Sequence, residues 1–273
     1  FITGQHQSPY NGFAIEFAGH REYAPGDELK HIDWKVWSKT DRFYIKEYEE
    51  ETNLKSTIIV DGSKSMAYGG EWRKFDYAAT AAASLTHLLQ QQQDSVGLVT
   101  FNNEVSLNLP ASSRSAHLKR MVHELGETQP AEETDVSTVF LQLAQQIRQR
   151  GLVVLISDLF VDQEQLREAL QQFRLRGHEV VIFHVVHDDE VNFPFEDNTR
   201  FVGLESVDEI HADPRALRKA YLEVFEKYLS QVRKTCSSLG VDYALMNTAD
   251  PLDAALSRYL AFRKRHTRKG RSA

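Results

Sequence analysis

Between residues 56 and 246 short apolar runs alternate with longer amphipathic stretches, and this alternation constrains the fold more than any other feature of the chain. Ser56–Val60 reads as a strand ending at Asp61, and Trp72–Gln93 as a long helix carrying Phe75, Ala79, Ala82, Ala83 and Leu89 on related faces. Ser95–Phe101 and Glu104–Leu109 read as strands joined by a tight turn at Asn102-Asn103. Helices follow at Arg114–Leu125, with Gly126 as its stop, and at Asp135–Arg150, with Gly151 as its stop. Leu152–Ile156 is apolar throughout, as a strand covered on both faces must be. The helix Asp162–Arg176 ends at Gly177, and Glu179–Val186 is a second buried strand. Residues 188–210 look irregular, with room for short strands around Arg200–Leu204. A helix Pro214–Leu239, a strand Val241–Met246 and a helix Pro251–Arg263 close the pattern. Strands alternating with helices predict an α/β fold, a doubly wound, mostly parallel sheet with one antiparallel edge strand at the Asn102 hairpin.

In such sheets ligands gather beyond the carboxyl ends of the strands. After the first strand stands Asp61-Gly62-Ser63-Lys64-Ser65-Met66, and after Leu152–Ile156 stands Ser157-Asp158. Glu133-Thr134-Asp135 comes just before the helix that leads into that second strand. In a loop leaving a strand, alternate residues point to one side, so Asp61, Ser63 and Ser65 can offer three oxygens to one point. Gly62 lets the backbone bend close to it. Thr134 adds a hydroxyl and Asp158 a second carboxylate; Asp135 and Ser137 stand near enough in sequence to serve in place of Thr134. Hard divalent cations want such oxygens, Mg²⁺ in the first place, with Mn²⁺ or Ca²⁺ as alternatives. Two carboxylates and three hydroxyls underfill the ion and leave a position that seeks an anionic oxygen. The competing account makes these residues turn and helix caps, which would require three segments to converge by accident.

At these residues the sequence resembles the metal-ion-dependent adhesion site of von Willebrand factor A domains: Asp-x-Ser-x-Ser, then Thr, then Asp, at Asp61, Ser63, Ser65, Thr134 and Asp158. The resemblance implies hydroxyls that bind metal directly, carboxylates that act in part through water, and a partner's Glu or Asp at the open position. Lys64, Met66 and Asp135 flank these residues and are the expected partner contacts.

Residues 1–54 precede the βα rhythm and are rich in aromatic and charged groups. They contain Glu22-Tyr23-Ala24-Pro25-Gly26-Asp27, His31-Ile32-Asp33-Trp34 and Lys46-Glu47-Tyr48-Glu49. With the metal motif, these segments resemble the DUF58 family from about Gly19 to Met66, and again through Pro251–Arg263. One departure is Lys30-His31, where the family more often has Arg before Ile-Asp-Trp. The resemblance implies an accessory role beside a MoxR-type AAA+ ATPase in assembling or activating a client protein, in the bacterial cytoplasm. The organisation expected is an N-terminal arm, 1–54, packed on the core, then a von Willebrand factor A-like domain, 55–265, with an insertion near 188–212, then a basic tail, 266–273. Within the arm, Tyr23–Asp27 reads as a turn, Arg42–Glu50 as extended chain, and Trp34 and Trp37 share one face. Those aromatics either bury against the core or offer a docking surface.

Composition narrows the function classes. Hydrophobic residues make up 41% and charged residues 26%, ordinary for a globular chain. No run of 18 apolar residues exists, so no transmembrane helix is expected, and Phe1–Tyr10 has neither the basic start nor the apolar centre of a signal peptide. Net charge is −7, and six basic residues fall within 263–273, so the remainder carries −13. An acidic body argues against nucleic-acid binding, although the tail leaves that route as an alternative. Cys236 is the single cysteine, so no internal disulfide can form, and it reads as a packing residue rather than a nucleophile. Gly62-Ser63-Lys64-Ser65 superficially resembles a phosphate-binding loop but lacks its glycine spacing. His178, His184 and His187 cluster on one strand without the spacing of a zinc site. No general base accompanies Asp61 and Asp158, so a non-catalytic binding domain is expected, with a metal-dependent hydrolase as the main alternative.

Overall fold

A computed structural model describes residues 15–24, 32–50, 55–70, 72–130, 136–195, 199–202, 209–212 and 214–258. The chain divides into two compact units at residues 54 and 55.

In the first unit, strand β1 (Ile15–Glu22) pairs antiparallel with β2 (Tyr44–Glu50), and helix α1 (Trp34–Thr40) lies between them in sequence. Asp33 starts α1 because its side chain accepts from the Lys35 and Val36 amides, and its Oδ2 also pairs with His20 Nε2 at 2.9 Å. Trp34 and Trp37 meet edge to face at 6.1 Å, and Trp37 stacks on Phe43 at 5.9 Å. All three rings stay well exposed. The Tyr23–Asp27 turn and Asp27 fall largely outside the described residues.

The second unit holds a six-stranded sheet. Its strands are β3 (Lys55–Asp61), β4 (Ser95–Phe101), β5 (Val105–Ser112), β6 (Leu152–Ser157), β7 (Glu179–Val186) and, after a short two-stranded sheet of β8 (Thr199–Val202) and β9 (Glu209–Ala212), β10 (Asp242–Asn247). The order is β10-β7-β6-β3-β4-β5; only β5 runs antiparallel, against β4. Helices α2 (Lys74–Gln91), α3 (Ser115–Glu127), α4 (Val136–Gln146), α5 (Gln163–Leu175), α6 (Asp188–Asn192) and α7 (Pro214–Ser238) connect them, and residues 252–258 are helical. This is the doubly wound, mostly parallel α/β arrangement with one antiparallel edge strand that the sequence predicts.

The elements form for local reasons. Every residue of β6 is buried, as a central parallel strand requires. In α5 the buried Leu166, Ala169, Leu170 and Phe173 recur at helical spacing behind an Asp162 cap. Phe101 and Phe140 meet edge to face at 5.3 Å in the core. Two helix ends differ from expectation. The helix α3 passes through Gly126 and stops at Thr128, whose amide and hydroxyl both reach the Glu124 carbonyl. The helix α4 ends at Gln146, so Gly151 caps no helix. Its role is close approach, since a Cβ there would sit 2.0 Å from the Lys55 carbonyl oxygen of the adjoining strand. Among the described residues, no helix is long and apolar enough to cross a membrane.

Candidate metal centre

Strand register assembles the centre. Val60 lies beside Ile156, so the next residues, Asp61 and Ser157, come side by side where β3 and β6 end. Gly62 then turns the chain. Its amide donates to the Phe101 carbonyl at 2.7 Å, and a Cβ would stand only 3.0 Å from that oxygen. The Ser63 amide donates to Asp61 Oδ1 at 2.9 Å, which folds the loop back on the strand. Residues Lys64–Ala67 make a short 3-10 turn. Ser63 and Ser65 point inward, with their Oγ atoms 3.0 Å apart, while Lys64 between them is exposed.

The loop after β6 forms the other wall. Ser157 Oγ donates to Asp61 Oδ2 at 2.5 Å and accepts the Leu159 amide at 2.9 Å. Leu159 has a φ of 54°, in the left-handed region, with its side chain fully buried. Tyr228 Oη donates to its carbonyl, so three anchors hold the turn in that unfavourable conformation. The turn directs Asp158 inward and leaves Phe160 65% exposed beside it. Asp158 Oδ1 accepts the Phe160 amide at 3.3 Å. Asp158 Oδ2 accepts from Lys74 Nζ at 2.8 Å, and the same ammonium donates to Glu190 Oε1 at 2.8 Å.

Two carboxylates are thus buried together. Burial raises the Asp61 pKa, and the Asp158 charge raises it further against the Ser157 and Ser63 hydrogen bonds, to about 7. For Asp158 burial acts in the same direction, but Lys74, with the Ser65 hydroxyl and the Phe160 amide, holds it below the usual carboxylate range. Lys74 itself stays charged despite its burial, because Asp158 and Glu190 raise its pKa. The centre holds more negative than positive charge and would be balanced by a further cation.

The donors fit a hard divalent ion. Mg²⁺ keeps its ligands at about 2.0–2.1 Å in an octahedron, which separates neighbouring ligand oxygens by roughly 2.9–3.0 Å. The Ser63 and Ser65 hydroxyls, hydrogen-bonded to each other at 3.0 Å, have that separation.

Of the residues singled out from sequence, Asp61, Ser63, Ser65 and Asp158 come together. Thr134 and Asp135 lie outside the described residues. Lys64 is open to a partner. Met66 is not; it is fully buried, because the 3-10 turn points it into the core, and it cannot be a contact residue. The histidines are accounted for as packing and capping groups. His178 is buried against the Ile147 carbonyl, His184 is buried against Tyr243 Oη, and His187 caps α6. Cys236 is buried, and burial pushes its thiol up to about 12. Sequence reasoning missed Lys74 and Glu190. Lys74 left a readable sign, a charge four residues before Ala78 and seven before Ala81 on the buried stripe of α2.

Comparison with known proteins agrees with this architecture. The chain is 26% identical over 270 residues to the uncharacterized protein Rv1480 of Mycobacterium tuberculosis, covering 97% of this chain and 84% of the relative. It is similar in structure to an aerotolerance-related membrane protein from Bacteroides fragilis, with a TM-score of 0.51, 16% identity and coverage of 76% and 97% of the two chains. The protein BatB from Bacteroides thetaiotaomicron is similar too, with a TM-score of 0.51, 15% identity and coverage of 77% and 98%. At that identity the two structures speak for the fold alone. The family model described as "Protein of unknown function DUF58" matches residues 19–228, and the chain is a member of that family.

Proposed function

We propose that the chain is a non-catalytic, metal-dependent protein-binding domain. Asp61, Ser63, Ser65 and Asp158, with Thr134, would hold one divalent ion, Mg²⁺ before Mn²⁺ or Ca²⁺, and a partner's Glu or Asp would complete it. The observation that carries this reading is the pair of inward hydroxyls, 3.0 Å apart, between two buried carboxylates. When bound, the ion would supply a strong positive charge with an open position for an anionic oxygen. The chain's own residues do the rest. Asp61 and Asp158 balance charge, Ser157 fixes Asp61, and Lys64 and Phe160 form an exposed rim against which an acidic segment can rest.

Catalysis has less support. Asp158, which Lys74 holds below the usual carboxylate range, is a poor proton acceptor, and Asp61, although raised to about 7, has its two oxygens taken up by Ser63 and Ser157. The resemblance noted for the opening section and the Asp61 motif makes a MoxR-type AAA+ ATPase and its client the proposed partners, in the cytoplasm.

The test is a pull-down from bacterial lysate in Mg²⁺ and in EDTA, with Ser63→Ala alongside and a circular-dichroism melt as control. Retention of an AAA+ ATPase only with Mg²⁺ and an intact Ser63, at unchanged melting temperature, is the expected result. Retention indifferent to chelator and substitution would overturn the reading and direct attention to hydrolysis assays and the basic tail.

A further inference from the structure

Lys74 sits where the helix pattern calls for an apolar residue. Its neighbours along the buried stripe of α2 are Ala78, Ala81, Ala82, Leu85 and Leu89, yet only 2% of the Lys74 side chain is exposed. A lysine on such a stripe ordinarily extends its stem and frees its ammonium into water. Here the ammonium is gripped from two sides, by Asp158 and by Glu190. Glu190 is itself fixed, because its Oε2 accepts the His187 amide at 2.7 Å in the cap of α6. An ion pair this deep is a poor way to stabilise a fold, since apolar side chains of like volume do as well or better. Its position identifies another use. The ammonium occupies Oδ2 of Asp158, one of the two carboxylates assigned above to the divalent ion.

We infer that Lys74 is a tuning residue of the ion site, a resident cation that shares Asp158 with the divalent ion and weakens its hold until a partner's carboxylate arrives. The inference rests on the metal-binding reading proposed above. Two cations on one carboxylate repel each other strongly where water is excluded. A carboxylate brought by a partner offsets that repulsion, so ion and partner favour each other's binding by the same factor. Glu190 works in the opposite sense to Lys74, because it draws the ammonium and cancels part of its charge. Lys74 and Glu190 should therefore act on ion affinity with opposite signs, which a purely structural pair would not do.

Mn²⁺ titration of the full chain, followed by electron paramagnetic resonance, reads this directly. Lys74→Met should tighten Mn²⁺ binding by roughly tenfold or more, and Glu190→Gln should weaken it by a similar factor. Arg73→Met is the control. Arg73 is adjacent in sequence but half-exposed and paired with Asp76, so its loss should shift affinity by less than about twofold. Equal or weaker binding by folded Lys74→Met overturns the inference and leaves the metal reading standing. If Lys74→Met does not fold, Glu190→Gln decides: weaker binding supports the inference, unchanged or tighter binding overturns it. Binding by Lys74→Met but not by the natural chain, lost again in Lys74→Met/Asp61→Ala, supports it in its strongest form. Absence of binding in every variant overturns both this inference and the metal reading.

Discussion

At the carboxyl end of the sheet, Asp61, Ser63, Ser157, Asp158 and Lys74 are all buried and satisfy one another through short hydrogen bonds. At the amino end the same strands begin differently. The buried Ser56 hydroxyl of β3 has no hydrogen-bond partner among the described residues, and Gly151 lies against the backbone of Lys55. A cleft of about 300 Å³ opens there between Lys55, Gly97, Pro110, Ile147 and His178. Both ends terminate the same parallel strands, so the sheet itself does not call for a charged network. The buried carboxylates and lysine that pair with one another make the carboxyl end the proposed ligand end, and the approach of Gly151 to the Lys55 backbone makes the amino end the structural end.

The largest expected effect tests the structural end. Gly151→Ala places a Cβ 2.0 Å from a backbone oxygen that cannot rotate away, so β3 and β6 must separate where they start. We expect a loss of about 3 kcal/mol in urea unfolding, with Mn²⁺ affinity per folded molecule unchanged. Lost ion affinity in the folded variant would show that the two ends are coupled, and the contrast between them would fail.

A pair of serines gives a finer contrast. Ser157→Ala removes the donor to Asp61 Oδ2 and the acceptor of the Leu159 amide, leaving two buried groups unsatisfied. The expected cost is about 2 kcal/mol. Ser56→Ala removes a buried hydroxyl that has no partner, so stability should move by no more than about 0.5 kcal/mol. Chemical denaturation of both variants settles the matter, and equal losses would mean that burial alone, rather than the network, gives the carboxyl end its sensitivity.

The structural end and the ligand end were not equally legible in sequence. The strands were readable because each is a compact apolar run, and knowing where β3 and β6 end places Asp61 and Asp158 on one edge. The alternating Asp61, Ser63 and Ser65 were readable for the same geometric reason. Met66 was misread because proximity in sequence says nothing about which way a 3-10 turn points a side chain. Lys74 and Glu190 meet across 116 residues, and no local pattern encodes that meeting. Gly151 was read as a helix stop because a glycine needed for close approach and one needed for a left-handed turn look alike in a sequence. Only the Lys55 carbonyl beside it distinguishes them.

The last and subtlest contrast is one of pH. His178 is buried at the structural end, where its Nε2–H donates to the Ile147 carbonyl at 3.0 Å. Burial lowers its pKa from the ordinary 6.5 against the opposing Ile147 and Gly151 backbone hydrogen bonds, with Arg176 and Arg150 pushing the same way as burial. The folded chain therefore holds this ring neutral where the unfolded chain begins to protonate it. Its contribution to stability is complete above pH 6.5 and is lost progressively as pH falls from there through the folded-state value. His178→Gln keeps an amide donor and removes the titration, so stability measured from pH 7.5 to 4.5 should fall less steeply than in the natural chain. Because this ring stands at the opposite end of its strand from the Asp61 and Asp158 loops, the difference should be the same in Mg²⁺ and in EDTA. A difference that appears only with chelator would join the histidine to the ligand end and undo the division between the two edges of the sheet.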